Sequence, residues 1–257
     1  MTFDDALLGR FRLAEHLVVF TGAGASAESG IPTFRDALTG LWENFDPLAL
    51  ATPEGFEQDP GLIWGWYEWR RGEVMRCKPN RAHTTIADLA RHKRVTVITQ
   101  NVDDLHERAG SPDVVHLHGS LQHPRCFKCG RPGNYPPGIP NEPPGGRRLL
   151  PPRCNCGGLL RPGVVWFHES LPQEAWHRAE AAAGHCDIFM SVGTSSVVYP
   201  AAELPYIAAR TGACVVQVNP EPTELDPVAG FNLRGTAGEV LPALYAAAWP
   251  EAPEKAS

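Results

Sequence analysis

Four short apolar runs punctuate the chain: HLVVF leading into TGAGAS (16–26), RVTVITQN (94–101), CDIFMSVGTSS (186–196) and ACVVQVNP (213–220). Each is continuous rather than alternating, and each ends in glycine or polar residues. Unbroken apolar runs of this length predict strands buried on both faces, as in a parallel sheet. Helical stretches fall between them, at about 82–91, 173–183 and 200–210. Strand, turn and helix in alternation predict an α/β fold with a doubly wound, Rossmann-like sheet. Ligands of such sheets bind beyond the carboxyl ends of the strands, where the polar clusters of this chain lie.

Two segments break the alternation. Residues 36–80 read as helical and aromatic, with turn signals at Thr52-Pro53 and Asp59-Pro60. Residues 121–161 are rich in proline, glycine and cysteine, and RPGNYPPGIPNEPPGGRR within them can be neither a regular helix nor a central strand. The chain therefore reads as a single domain (1–257) with a Rossmann-like lobe (about 1–35, 82–120 and 162–250) and a smaller lobe made of a helical part (about 36–81) and a cysteine-rich part (about 121–161). There is no internal repeat.

The bulk properties narrow the function. A chain of 257 residues can bury a substantial core. A net charge of −6 argues against a nucleic-acid surface and leaves open a cationic protein or peptide as substrate. No apolar run approaches the roughly 18 residues of a membrane span, and the acidic start MTFDDALLGR has no charged-then-apolar leader pattern. Seven cysteines, four of them clustered, suit a metal site in a reducing cytoplasm better than a disulfide framework.

Five constellations carry chemistry. In TGAGASAESGIPTFRD (21–36), Gly22 and Gly24 follow a strand, where they permit close approach of a pyrophosphate. The third glycine of the dinucleotide fingerprint is replaced by Ala27, and a lone GxG is a weak signal, because many strand ends turn on glycine. In TQNVDDLHERAG (99–110), amides and carboxylates crowd a strand end; they could read a ribose or carboxamide, or Asn101 or Asp103 could simply cap a helix. In VVHLHGS (114–120), His116 and His118 point to opposite faces, and His118, at the strand end, is the better general base. Cys126-x2-Cys129 and Cys154-x-Cys156 supply four thiolates for one tetrahedral zinc with no open position, hence a structural metal. Cys77, Cys186 and Cys214 read as ordinary core or surface thiols. Finally, WGWYEWRR (64–71) puts Tyr67 and Arg70 on one helical face with Ile63 and Val74. Arg70 there either packs its stem and sends its head to water or faces a pocket that takes an anion.

Together these residues resemble the sirtuin family. The resemblance runs in order through GAGASAESGIPTFR, TQNVDDLH, HLHGS, the four cysteines, LRPGVVWF, GTSSVVYP, VNPE and GTAGEVLP. ATPEGF, YEWR and GTSSVVYP resemble the branch that includes bacterial and archaeal members and mitochondrial lysine desuccinylases. The resemblance implies an NAD-dependent protein-lysine deacylase that consumes NAD and moves no hydride. The acyl oxygen of a modified lysine attacks as nicotinamide leaves, and nicotinamide, O-acyl-ADP-ribose and free lysine are the products.

By the same resemblance, Gly22, Ala23, Gly24, Ser26, Phe34 and Arg35 surround NAD, and Gln100, Asn101 and Asp103 hold its nicotinamide and ribose. Gly193, Thr194 and Ser195 touch the cofactor from another strand end; Asn219 and Glu221 meet the adenosine ribose, and Ala237 the adenine side. His118 matches the family's base. Tyr67 and Arg70 match a pair that recognises acidic acyl groups, with Ala51 leaving room and Arg71 a solvated neighbour. Val165, Trp166 and Phe167 are expected to form an edge strand that pairs with the substrate backbone, and His168 stands where the family usually carries glycine. The expected partners are acylated lysines on proteins, not nucleic acid or membrane, with a monomer as the default state. Three alternatives stay open: a general deacetylase in which Arg70 only tunes preference, a protein mono-ADP-ribosyltransferase, and a non-catalytic NAD-sensing module. The last would need no base, so the presence of His118 with Asn101 and Asp103 argues against it.

Overall fold

The computed structural model describes residues 1–31 and 50–250. Six parallel strands, β1 (His16–Thr21), β2 (Arg94–Thr99), β3 (Val114–His116), β6 (Ile188–Val192), β7 (Cys214–Val218) and β8 (Phe231–Leu233), form one sheet in the order β3-β2-β1-β6-β7-β8. All four apolar runs are strands of this sheet. The strand order reverses where β1 meets β6, and a doubly wound sheet opens its ligand crevice at that reversal.

Burial on both faces explains the continuous apolar runs. Side chains alternate along β1, so Leu17 and Val19 face one core while Val18 and Phe20 face another. The first core packs the sheet against α1 (Asp5–Leu13), α5 (Arg81–Leu89) and α9 (Ala237–Ala248), through Phe11, Ile86 and Leu244 among others. The second packs it against α7 (Gln173–Ala183) and α8 (Leu204–Arg210), through Ala179, Phe189 and Leu204. Each fully buried leucine, isoleucine or phenylalanine among them is worth about 1.5–3 kcal/mol.

The remaining elements lie to one side. The two proline signals start helices rather than turns. Thr52 Oγ1 accepts from Gly55 N (3.1 Å) to begin α3 (Pro53–Gln58), and Asp59 Oδ1 accepts from Leu62 N (3.0 Å) to begin α4 (Pro60–Arg76). Proline suits the first helical position, which has no intrahelical use for an N–H. The cysteine-rich segment springs from an antiparallel pair, β4 (Gly119–Cys126) and β5 (Leu160–Val164), with Gly119 opposite Val164 at its root.

Helix α4 is enclosed almost all round. On one side it carries Gly61, Gly65 and Gly72, and the proline-rich strap lies against them: Leu149 N donates to Gly61 O (2.9 Å), and a Cβ at Gly65 would sit 1.6 Å from the Arg147 carbonyl oxygen. Enclosure also corrects the sequence reading of Arg71. It is 4% exposed, donates to both Glu68 oxygens (2.9 and 3.0 Å), and lies 3.9 Å over the Tyr135 ring. The strap brings Tyr135 over a position that an isolated helix would leave in water.

Candidate active site

The crevice at the carboxyl ends of β1, β6 and β7 is a cleft of about 760 Å³. Its walls include Gly24, Gly193, Thr194, Ser195, Asn219, Glu221 and Ala237, so strand ends and a helix start far apart in sequence converge there. The walls hold one another in place. Asn219 Nδ2 donates to Thr194 O (2.9 Å), and Thr194 Oγ1 donates to Gln100 Oε1 (2.9 Å). Gly22 and Gly24 are small for a reason the sequence did not disclose. A Cβ at either would lie 2.8 Å from Gly193 backbone atoms, so these glycines let β1 and β6 close on each other. Gly193 itself, at φ 60, needs the left-handed region. Ala23 opens α2 (Ala23–Ala27) beside them.

A polar cluster lies next to the cleft. Asn101 Nδ2 donates to Gly22 O and to Ser26 Oγ, both at 3.0 Å, and Ser26 Oγ donates to Asp103 Oδ2 (2.9 Å). Asp103 Oδ1 also accepts from Leu105 N (3.1 Å), the first residue of α6 (Leu105–Arg108), so this carboxylate steadies a helix start as well as the polar cluster. Asp103 is 4% exposed, and burial raises its pKa.

His118 occupies the turn between β3 and β4. Its Nδ1 lies 3.0 Å from the Gln100 carbonyl oxygen, which can only accept, so Nδ1 carries the proton and Nε2 is the basic nitrogen. Burial lowers its pKa, partly offset by the hydrogen bond to that carbonyl, and so favours the neutral imidazole. His116 points elsewhere, to Glu107 Oε1 at 2.6 Å. Burial pushes its pKa down, but the Glu107 hydrogen bond and charge more than offset this and raise it.

Tyr67 and Arg70 lie side by side on α4, 4% and 9% exposed. The Arg70 guanidinium lies 5.1 Å from the centroid of the Trp66 ring. Burial lowers its pKa, while Tyr67 and Asp103 act in the opposite sense. Ala51, 4% exposed, accepts from Phe167 N through its carbonyl (2.9 Å). The 165–167 segment has no strand partner among the described residues: β5 ends at Val164, and Phe167 and His168 turn. Its three amides are already used, Val165 N on His118 O (2.8 Å), Trp166 N on Glu169 Oε2 (2.8 Å) and Phe167 N on Ala51 O. Phe34 and Arg35 lie outside the described residues.

The four cysteines meet. Cys126 and Cys156 sulfurs are 3.5 Å apart, Cys129 and Cys154 sulfurs 3.8 Å, and all four lie within 4.8 Å of one another. A zinc with Zn–S bonds of about 2.3 Å needs sulfurs about 3.8 Å apart at tetrahedral corners. The thiols thus fit a structural zinc, and four sulfur ligands leave no position for substrate. The tight Cys154-x-Cys156 spacing is met by a turn in which Gly157 N donates to Cys154 O (2.8 Å).

The sequence model of the Sir2 family matches residues 22–200. The chain belongs to the Sir2 family. Over 249 residues it is 63% identical to an NAD-dependent protein deacylase of Methylococcus capsulatus, covering 96% of this chain and 98% of that one. It is 58% identical to NAD-dependent protein deacylase 1 of Pseudomonas aeruginosa, covering 92% and 96%. A Sir2 homologue solved in complex with NAD superposes with a TM-score of 0.86 at 46% identity, covering 96% of this chain and 94% of that one.

Several residues around this sirtuin's site escaped the sequence reading. His83 and His106 are 0% and 2% exposed behind Ser26 and Thr21; Ser26 Oγ is 3.4 Å from His83 Nε2, and Thr21 Oγ1 is 3.0 Å from His106 Nε2. Burial pulls His83 down to about 4, and burial with the neighbouring His83 pulls His106 to about 3. Glu28, in the cleft wall, accepts from Gly238 N (2.7 Å) and Thr236 Oγ1 (3.1 Å), and so caps α9. Gln217, 1% exposed, binds Asn232 Oδ1 (2.8 Å) and Asp226 Oδ1 (2.5 Å) and ties down the loop over the cleft. Each is a single polar residue in a helix, strand or loop, with no spacing to mark it.

Proposed function

We propose that this sirtuin is an NAD-dependent protein-lysine deacylase that prefers succinyl and malonyl groups and also removes acetyl. Arg70 buried beside Tyr67 carries the reading. A guanidinium that burial disfavours as a charge is strongly complemented by a carboxylate, to which it donates two hydrogen bonds in a fork while the phenol donates a third. NAD would lie against Gly24, Thr194, Asn219 and Glu221 at its adenosine end, with Asn101, Asp103 and Ser26 at its nicotinamide end. When bound, NAD would supply an electrophilic ribosyl carbon, whose bond to nicotinamide breaks as the acyl oxygen of the modified lysine bonds to it. His118 would then take a ribose hydroxyl proton at Nε2, with the convergent donors and the buried cluster behind them holding the reactants in line. The seven free thiols suit a reducing cytoplasm, and among the described residues no helix is long and apolar enough to cross a membrane.

Mass spectrometry of NAD with an acyl-lysine peptide tests the chemistry. O-acyl-ADP-ribose is the expected product, and His118→Ala should lower its formation by about 10²- to 10⁴-fold while NAD still binds. ADP-ribosylated protein in its place would make the chain a transferase. For acyl choice, Arg70→Met should lower the succinyl-to-acetyl ratio of kcat/KM on the order of 10²-fold, because only succinyl loses charge-assisted hydrogen bonds. The Trp66 ring near Arg70 favours a second reading, in which the guanidinium is packing and the chain is a general deacetylase. That reading predicts equal losses on both acyl groups.

A further inference from the structure

The Tyr67 hydroxyl is buried. Its oxygen accepts the Trp166 indole N–H at 3.0 Å, and among the described residues nothing accepts its own proton. Burial pushes the phenol up to about 12, with Arg70 and the Trp166 hydrogen bond working against this, so it stays protonated at neutral pH. A phenol oxygen that already accepts an N–H is a poorer acceptor for a second donor, so towards a ligand it acts through its own proton.

Trp166 is itself held rigidly. The Arg161 guanidinium lies 3.3 Å from the centroid of the indole ring and is 3% exposed. Arg161 donates to both Glu169 oxygens (2.5 and 2.9 Å), to Val164 O (2.9 Å) and to Pro162 O (3.2 Å). Glu169 closes the circuit by accepting from Trp166 N (2.8 Å). A cation on the indole face draws electron density from the ring and sharpens its N–H as a donor. A phenol that accepts such a bond becomes a stronger donor in turn.

We infer that Trp166 is a positioning residue for acyl recognition: its indole N–H commits Tyr67 to donate, and so favours acyl groups bearing an acceptor over hydrocarbon chains of similar length. The inference rests on the proposed placement of Tyr67 and Arg70 at the acyl group. It also gives Trp166 a different task from the backbone pairing that its sequence neighbourhood suggests.

The test compares one peptide carrying succinyl-lysine or butyryl-lysine on the wild type, Trp166→Phe, Tyr67→Phe, the double variant and Arg70→Met. Trp166→Phe should lower the succinyl-to-butyryl ratio of kcat/KM by about 5- to 10-fold. The double variant should show no lower a ratio than Tyr67→Phe alone, because the indole acts only through the phenol. An unchanged ratio in Trp166→Phe, or losses that multiply in the double variant, overturns the inference. A readout free of activity accompanies it: the Trp166 indole proton resonance, in the folded Tyr67→Phe protein, should move upfield as its acceptor disappears. A resonance that stays put overturns the inference even if Trp166→Phe fails to fold. Arg70→Met separates the two levels. If it too leaves the ratio unchanged, the acidic-acyl reading fails and takes this inference with it; if it collapses the ratio while Trp166→Phe does not, only the positioning role falls.

Discussion

His168 has φ 68, in the left-handed region, and its side chain is exposed. The backbone at this corner is set by its neighbours, since Glu169 N turns back onto Trp166 O (3.2 Å) and the Glu169 carboxylate onto Trp166 N. A histidine therefore occupies a conformation that costs an L-residue roughly 1–2 kcal/mol, and glycine relieves that cost less its own chain entropy. His168→Gly should raise the thermal midpoint by about 2 °C, and His168→Val should lower it; calorimetry on the three proteins decides, and a fall with glycine would mean that the histidine makes a contact worth more than the strain. The same residue marks what sequence can reveal at this scale. His118, Asn101 and Asp103 stood out as candidates because polar residues at a buried strand's end have few structural reasons to be there, and the structure places Asn101 and Asp103 in one hydrogen-bonded cluster with Ser26. Arg71 was misread because exposure at one helical position depends on a loop that returns from about 64 residues later. Arg161 and Glu169 gave no signal, because partners that meet across a turn, with Arg125 joining from β4, follow no helical or strand period.

Glycine separates two kinds of helix in this protein. Gly9 in α1 has nothing within 4 Å of where a Cβ would stand, whereas at Gly65 in α4 that Cβ would meet the Arg147 carbonyl oxygen at 1.6 Å. Alanine stabilises a helix interior over glycine by roughly 0.5–1 kcal/mol when space is free. Gly9→Ala should therefore raise stability by that amount. Gly65→Ala should lower it by about 1–3 kcal/mol, because backbone has to give way. Denaturant midpoints of the two variants should move in opposite directions, and a shared direction would show that the strap does not bear on α4 in solution. The main sheet was readable at element scale because strands buried on both faces lose alternation and become plain apolar runs. β4 was not: GSLQHPRC carries a proline and mixed polarity, and its pairing with β5 is interrupted between Ser120 and Arg125. The prolines at 53 and 60 were seen but read as turns, because Thr-Pro and Asp-Pro serve a helix start and a turn equally well.

At the scale of the whole molecule, buried imidazoles set an acid limit. His83 and His106 stay neutral in the fold down to about pH 4 and about pH 3, while in the unfolded chain they charge near 6.5. Below about pH 6.5 the unfolded state binds more protons, so stability falls as pH drops, by up to about 1.4 kcal/mol per unit for each group. Burial lowers His16 and His118 in the same sense. His116 opposes them, since its raised pKa contributes stability below the unfolded value, and buried Asp103, also raised, opposes them at lower pH. The urea midpoint should therefore decline between pH 7 and pH 5, and His106→Gln should flatten the decline; a flat wild-type profile would contradict the burial of these rings. None of this was visible in the sequence, where the two histidines lie more than twenty positions apart in unrelated helices. The cysteine-rich excursion has a different consequence. It leaves and rejoins the main chain at Gly119 and Val164, which face each other across β4 and β5, so it has the form of a cassette with adjoining ends. An exchange of cassettes between relatives would meet little resistance at that junction. Compatibility would be decided further along, where a carbonyl must land on the bare face of Gly65, so cassette length can vary near the metal knuckles but not between the strap and the helix.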